Sequence, residues 1–297
     1  MNSRRIVVGV MMALYILFGL LGIFVSAPNT FVGADLSVYQ RAGNDLLSIG
    51  DPYASNATAH FNFQYRYPPL LAMLMPLLGW PPVWFALLWG STALVFYFWW
   101  RDAGWFGLAP IFMLSGPWGQ VLLNGNVQPL LMGLLVLVPY YRRVGAISLA
   151  VATMLKLHPI LGVVWYLGRR DWTGLAWYAG AIVALLVVQA PWLAEFLDFY
   201  ANDPDASITL YAGWGLRLAG DVAWLIGAGL AGIAALALAR TRYGWLMNIV
   251  FQLAALPRLL PTNLALLLAA PLPTRRRPRT LESAARQPEP VTAGSQL

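Results

Sequence analysis

The chain has 297 residues, of which 59% are hydrophobic and only 10% charged, and its mean hydropathy is +0.63. A soluble domain carries roughly 25% charged residues, so this composition excludes an ordinary water-soluble fold and reads as one membrane domain. The absence of cysteine excludes disulfides, thiolate metal sites and a cysteine nucleophile, and the net charge of +7 is too scattered to suggest nucleic acid.

The basic residues fall between apolar runs, at Arg4-Arg5, Arg101, Arg142-Arg143, Arg169-Arg170, Arg240 with Arg242, and Arg275 to Arg279. Arginines in this pattern mark cytoplasmic loops. The first run, residues 6–27, is too long for a signal-peptide core and lacks a small-x-small cleavage site. It therefore reads as a crossing that delivers the chain to the outer face. Residues 28–68 form the first outer loop, within which Ala34 to Ile49 carries a partial apolar stripe of Leu36, Tyr39, Leu46 and Leu47. That spacing predicts an amphipathic interfacial helix. After Pro68-Pro69, residues 70–78 are too few to cross a core about 30 Å thick, and residues 82–100 return to Arg101.

Residues 105–141 make an out-and-back excursion turning near Pro117 to Asn126. Residues 144–168 make a second, turning at Lys156-Leu157-His158-Pro159. Its arms hold about a dozen residues and reach about 18 Å at about 1.5 Å per residue, so the turn is expected below the outer surface. Residues 172–193 and 220–239 flank an outer loop carrying Glu195, Asp198, Asp203 and Asp205. A last pair, 244–256 and 262–272, turns at Pro257-Arg258. The expected architecture is an all-α polytopic membrane protein, a bundle of about 8–10 transmembrane helices, several of them short or re-entrant. Residues 1–273 form the membrane domain and 274–297 a disordered basic cytoplasmic tail, with both termini cytoplasmic. No internal repeat is evident.

Removing the cytoplasmic arginines leaves Asp35, Arg41, Asp45, Asp51, His60, Arg66, Lys156, His158, Arg217, Arg258 and the acidic residues near 200. Lys156 is the sole lysine and His158 one of two histidines. A charge at membrane depth costs roughly 2.5–3.5 kcal/mol on insertion scales. Lys156 then either snorkels to the headgroups or receives an anionic lipid phosphate. Asp35 is either a helix N-cap or a carboxylate able to serve as general base without metal or triad. Asn124-Gly125-Asn126 reads as a plain turn or as a site for sugar hydroxyls. Asn56-Ala57-Thr58 matches a glycosylation sequon, a pattern short enough to arise by chance. No metal-ligand pattern is recognisable and no cofactor is expected, although the acids from 198 to 205 leave a divalent metal open.

Gly33-Ala34-Asp35-Leu36-Ser37-Val38-Tyr39, then Gly50-Asp51-Pro52-Tyr53, then Tyr65-Arg66-Tyr67-Pro68-Pro69-Leu70 resemble the first outer loop of glycosyltransferase family 87. The likeness continues through Leu123-Asn124-Gly125-Asn126 and Leu155-Lys156-Leu157-His158-Pro159, with Ala255-Leu256-Pro257-Arg258 a looser match. The chain resembles a compact member of that family, which includes polyprenol-phosphate-mannose-dependent mannosyltransferases of the GT-C fold. The resemblance implies a plasma-membrane enzyme that moves a sugar, mannose first, from a polyprenyl-phosphate donor to a lipid-linked or glycan hydroxyl on the outer face, with inversion. Asp35 would be the base. Lys156, His158, Arg66 and Arg258 would bind the donor phosphate, and Tyr39, Tyr67, Asn124, Asn126 and Gln128 the sugar and acceptor. Two other classes stay open: a lipid or glycolipid transporter or flippase, suggested by broken helices and one buried cation, and a catalytically silent scaffold of the same fold.

Overall fold

A computed structural model describes residues 32–59, 64–104, 110–111, 114–202, 220–256 and 261–271. The expected crossing at 6–27, His60, Asp203, Asp205, Arg217, the Pro257-Arg258 turn and the tail from 274 lie outside the described residues. Among the described residues every regular element is helical.

The loop expected at residues 28–68 holds α1, Ala34–Ser48, which starts from Gly33 in the left-handed region at φ 75°. It buries Leu36, Val38, Tyr39, Ala42 and Gly43 on one face, as an amphipathic helix does, but Leu47, placed in the apolar stripe by its spacing, is 70% exposed because it lies at the C-terminal end, off the buried face. Helix α2, Pro69–Leu78, follows directly from the Pro68-Pro69 pair, and its first proline supplies a preset helical φ at N1. The two helices run antiparallel. Gln40 Nε2 donates to the Gly79 carbonyl at 2.6 Å, and a Cβ on Gly43 would lie 2.6 Å from that of Met75. Only glycine permits that approach.

Helix α3, Pro81–Ala103, spans the expected 82–100 run and ends at Gly104. The excursion after it contains α4, Ser115–Leu123, and α5, Gln128–Leu135, separated by the Asn124-Gly125-Asn126 turn. Helix α6, Arg142–Leu155, stops at Lys156, whose backbone is extended at φ −160° and ψ 128°. A 3-10 turn, His158–Gly162, and α7, Val163–Arg169, complete the broken arm. The break has a local cause: in a continuous α-helix Pro159 would offer no N–H to the Leu155 carbonyl and its ring would clash with that carbonyl, so the chain leaves the helix at Lys156 and restarts with Pro159 in the first turn of the 3-10 segment. Helix α8, Trp172–Gln189, is capped by Asp171, which accepts the Gly174 N–H, and it leads into α9, Leu193–Asn202. Helices α10, Asp221–Leu238, and α11, Gly244–Ala254, precede a 3-10 segment, Pro261–Ala269.

Among the described residues, three helical segments are long and apolar enough to cross a membrane: Pro81–Ala103, Trp172–Phe199 and Asp221–Leu238. Two apolar helices, Pro69–Leu78 and Gly244–Ala254, are shorter. The all-helical, membrane-compatible character therefore holds. The excursions at 105–141 and 144–168 are cut by turns into short pieces, as the expected short or re-entrant helices would be. Helices α8 and α10 present apolar side chains outward, including Val187 at 68% and Ile233 at 66% exposure. Water would penalise such surfaces and lipid would not. Helix α5 is central: Leu131, Met132 and Leu135 are fully buried, and a Cβ on Gly133 would lie 2.7 Å from Ser91 Cβ on α3.

Candidate active site

The first turn of α1 meets the turn between α4 and α5. The Gly33 N–H donates to the Leu123 carbonyl and the Asp35 N–H to the Asn124 carbonyl, both at 3.0 Å. The loop therefore closes on the bundle through its backbone, ahead of any side-chain contact. Gly125 adopts φ 69° and turns its carbonyl to the buried Trp84, whose Nε1 donates to it at 2.8 Å. Asparagine at 126 then folds as an Asx turn: its Oδ1 accepts the Gln128 N–H at 2.9 Å. The same side chain uses its Nδ2 to donate to Asp35 Oδ2 at 2.9 Å.

Asp35 does not cap α1. Gly33 holds the N-cap position, no side chain caps the helix, and Asp35 lies within the first turn. Its Oδ1 makes no hydrogen bond among the described residues, and the side chain is only half-buried. Burial pushes this carboxyl up, and the Asn126 hydrogen bond and the Lys156 charge pull it back in part, leaving it above the ordinary aspartate value of 3.8. A raised, still ionisable carboxylate is a stronger base than a surface one.

Lys156 is held at the extended break after α6, close enough for its charge to act on Asp35. It forms no ion pair or hydrogen bond among the described residues, and its Nζ lies 5.8 Å from the centre of the Tyr67 ring. A lone ammonium beside an aromatic face keeps its donors for an anion. His158, two residues on, has a buried Nε2 without a hydrogen-bond partner among the described residues.

The aromatic side is built by Tyr39 and Tyr67. The Tyr39 hydroxyl donates to that of Tyr67 at 3.1 Å and accepts the Val127 N–H at 3.3 Å, while the two rings meet edge to face at 5.1 Å. Tyr39 is fully buried and Tyr67 only partly so. Gln128 is 3% exposed and reaches the Asn263 carbonyl at 3.3 Å. Asn124 is partly exposed and touches α1 through its backbone. Arg66, next to Tyr67 in the chain, donates to Gln64 Oε1 at 2.9 Å. Arg258 lies outside the described residues.

The structure thus brings Asp35, Asn126, Lys156, Tyr39 and Tyr67 together and engages other polar residues of the 28–68 segment within that segment itself. Asp45 accepts the Ser55 N–H, and Asp51 the Tyr53 N–H. Asn56, the sequon residue, is buried and pairs with Tyr65 in both directions, at 2.9 and 2.8 Å. That arrangement has no room for a glycan. Two supports were missed in the sequence: Trp84, whose position in an apolar run gives no sign of its bond to Gly125, and Gln189. The latter is a buried amide that accepts the Leu70 N–H at 2.8 Å and so satisfies the start of α2. A glutamine in an otherwise apolar helix was its signal. Among the described residues no three His, Asp or Glu side chains gather as metal ligands.

No curated protein and no solved structure matches the chain significantly. The model of Glycosyltransferase family 87 matches residues 65–286, well over half the length, and covers Tyr67, Asn126 and Lys156 but not Asp35. The chain belongs to glycosyltransferase family 87.

Proposed function

We propose that this glycosyltransferase takes a sugar, mannose first, from a polyprenyl-phosphate donor and passes it to a lipid-linked or glycan hydroxyl at the outer face of the plasma membrane. The reaction inverts the anomeric centre, and the fold is a compact GT-C arrangement with cytoplasmic termini. One observation supports the reading: among the described residues, a carboxylate with one unbonded oxygen and a cation with no ion pair or hydrogen bond lie within reach of each other's charge, at the junction of α1, the α4–α5 turn and the α6 break.

The chemistry follows from that separation of charge. Asp35 Oδ1 takes the acceptor proton as the hydroxyl oxygen bonds to the anomeric carbon, and the bond to phosphate oxygen breaks on the opposite face. The leaving group departs as a phosphate anion, so a cation helps it more than an acid would. Lys156 supplies that cation, with His158, Arg66 and Arg258 as further phosphate contacts. Tyr67 and Asn124, partly exposed members of the sugar side, meet the ligand; Asn126, also partly exposed, is bonded to Asp35, and the buried Tyr39 and Gln128 stand behind them.

The test uses membranes containing the full chain, radiolabelled polyprenyl-phosphate sugars and candidate acceptors, beside Asp35→Asn. Transfer should fall about 10²- to 10⁴-fold in the variant, the range of a lost general base, with donor binding retained. Equal transfer by both proteins would sink the assignment. Because the chain has no cysteine, a single Cys at position 35 reports orientation: labelling from the cytoplasmic side alone would overturn the outer-face placement.

A further inference from the structure

The Asx turn at 126 does two jobs with one side chain. Its oxygen is committed to the Gln128 N–H, which fixes the amide plane, and its nitrogen then lies 2.9 Å from Asp35 Oδ2. Both partners are anchored independently of that bond. Asp35 is held by its own N–H on the Asn124 carbonyl, and the turn by Trp84 on Gly125. The amide therefore does not wander to find the carboxylate; two preset backbones bring it there.

We infer that Asn126 is a positioning residue for the base: its side-chain amide occupies Oδ2 of Asp35, leaves Oδ1 as the single proton-accepting oxygen, and favours the ionised carboxylate. This inference rests on the assignment of Asp35 as base, and it gives Asn126 a role toward the protein's own acid rather than toward a sugar hydroxyl. A donor bonded to one oxygen stabilises the charged form, offsetting part of what burial costs. It also orders a side chain that would otherwise rotate between two equivalent oxygens, and general-base catalysis depends on that geometry.

The discriminating variant is Asn126→Asp. Aspartate keeps an oxygen for the Gln128 N–H, so the Asx turn survives, but it removes the amide donor and sets a second carboxylate against the first. Asn126→Ala removes both contacts. With the wild-type enzyme in membranes, the measurements are kcat, donor KM, donor binding and the acidic limb of the kcat profile. Expected for Asn126→Ala is a fall in kcat of about 10- to 100-fold, the scale of a hydrogen bond to a charged group, with donor binding unchanged. Losing the bond raises the Asp35 pKa, so the acidic limb moves to higher pH, and further in Asn126→Asp than in Asn126→Ala. An unmoved limb in both variants, or a loss confined to donor binding, overturns the inference. The two ideas fail separately. If Asp35→Asn remains active, the base assignment is wrong; if Asp35→Asn is dead while both Asn126 variants keep wild-type kcat and pH profile, only the positioning role is wrong.

Discussion

The two ends of the molecule use the same residue types to opposite effect. At the end marked by the arginine clusters, Arg142 pairs with Asp171 and donates its Nε at 2.7 Å, while Asp171 also caps α8 through the Gly174 N–H. Beside it, Arg101 pairs with Asp102 at 2.9 Å, lies over the Phe98 and Tyr140 rings, and Asp102 accepts the Tyr140 hydroxyl. At the other end, Asp35 has one amide on one oxygen, and Lys156 has no ion pair among the described residues. Partial burial works against the Asp171 carboxylate too, but the Arg142 and Gly174 hydrogen bonds and the Arg142 and Arg169 charges outweigh it and hold its pKa down. For Asp35 burial wins and the pKa goes up. The paired charges brace the fold, and the incompletely paired ones are those that the proposed function assigns to a ligand.

The largest effect expected from breaking this contrast is at the lone cation. Lys156→Met keeps most of the apolar stem and removes the ammonium. Donor binding should weaken about 10- to 100-fold, the scale of a charge-assisted contact to phosphate, while the fold is retained. Unchanged donor binding would mean that Lys156 snorkels to the headgroups and serves no ligand. An Arg142→Met control should leave donor binding alone, because Arg142 already has its anion.

Much of this arrangement was legible in the sequence, and the residues show why. Prolines at 68, 69, 81 and 159 and the Arg clusters punctuate the chain where helices begin, break and turn, so α1, α2, α3 and the interruption at Lys156 fall where local rules put them. Asp35 and Lys156 stood out because ionisable residues are scarce between apolar runs. The link between Asp35 and Asn126 was not legible. It joins residues 91 apart, and no local periodicity encodes which turn will meet which helix. How many of the apolar runs are long enough to cross was not legible for a related reason: hydropathy registers apolar runs, whereas crossing needs uninterrupted length, and α4, α5 and α7 are the short pieces that the bundle was expected to contain.

A smaller effect is expected from the turn itself. Gly125 combines φ 69° with a close approach, since a Cβ there would lie 2.9 Å from Leu36 Cβ on α1. Gly125→Ala should cost about 1–3 kcal/mol for the strained backbone and displace the first turn of α1, so that stability and transfer fall together. Gly90→Ala offers the comparison: this helical glycine on α3 has open space around its Cβ position, and alanine there should leave thermal stability equal or slightly higher. Equal tolerance at both positions would show that the α1 contact with the turn is loose.

The smallest effect separates the two aspartates by sign. The folded pKa of Asp171 is depressed, so its contribution to stability is present above its unfolded pKa and is lost as pH falls through the folded value. The folded pKa of Asp35 is raised, so its contribution is present below its unfolded pKa and is lost as pH rises through the folded value. At neutral pH the first carboxylate supports the fold and the second burdens it. Thermal unfolding in detergent at pH 7 should therefore show Asp171→Asn destabilised by about 0.2–1 kcal/mol, the range of an exposed ion pair, with sugar transfer intact. Asp35→Asn should melt at the same temperature as the wild type or higher, because asparagine still accepts from Asn126 and no longer buries a charge. A lower melting temperature for Asp35→Asn would mark Asp35 as part of the scaffold, since a group retained for chemistry at the expense of stability leaves a sturdier protein when it is removed.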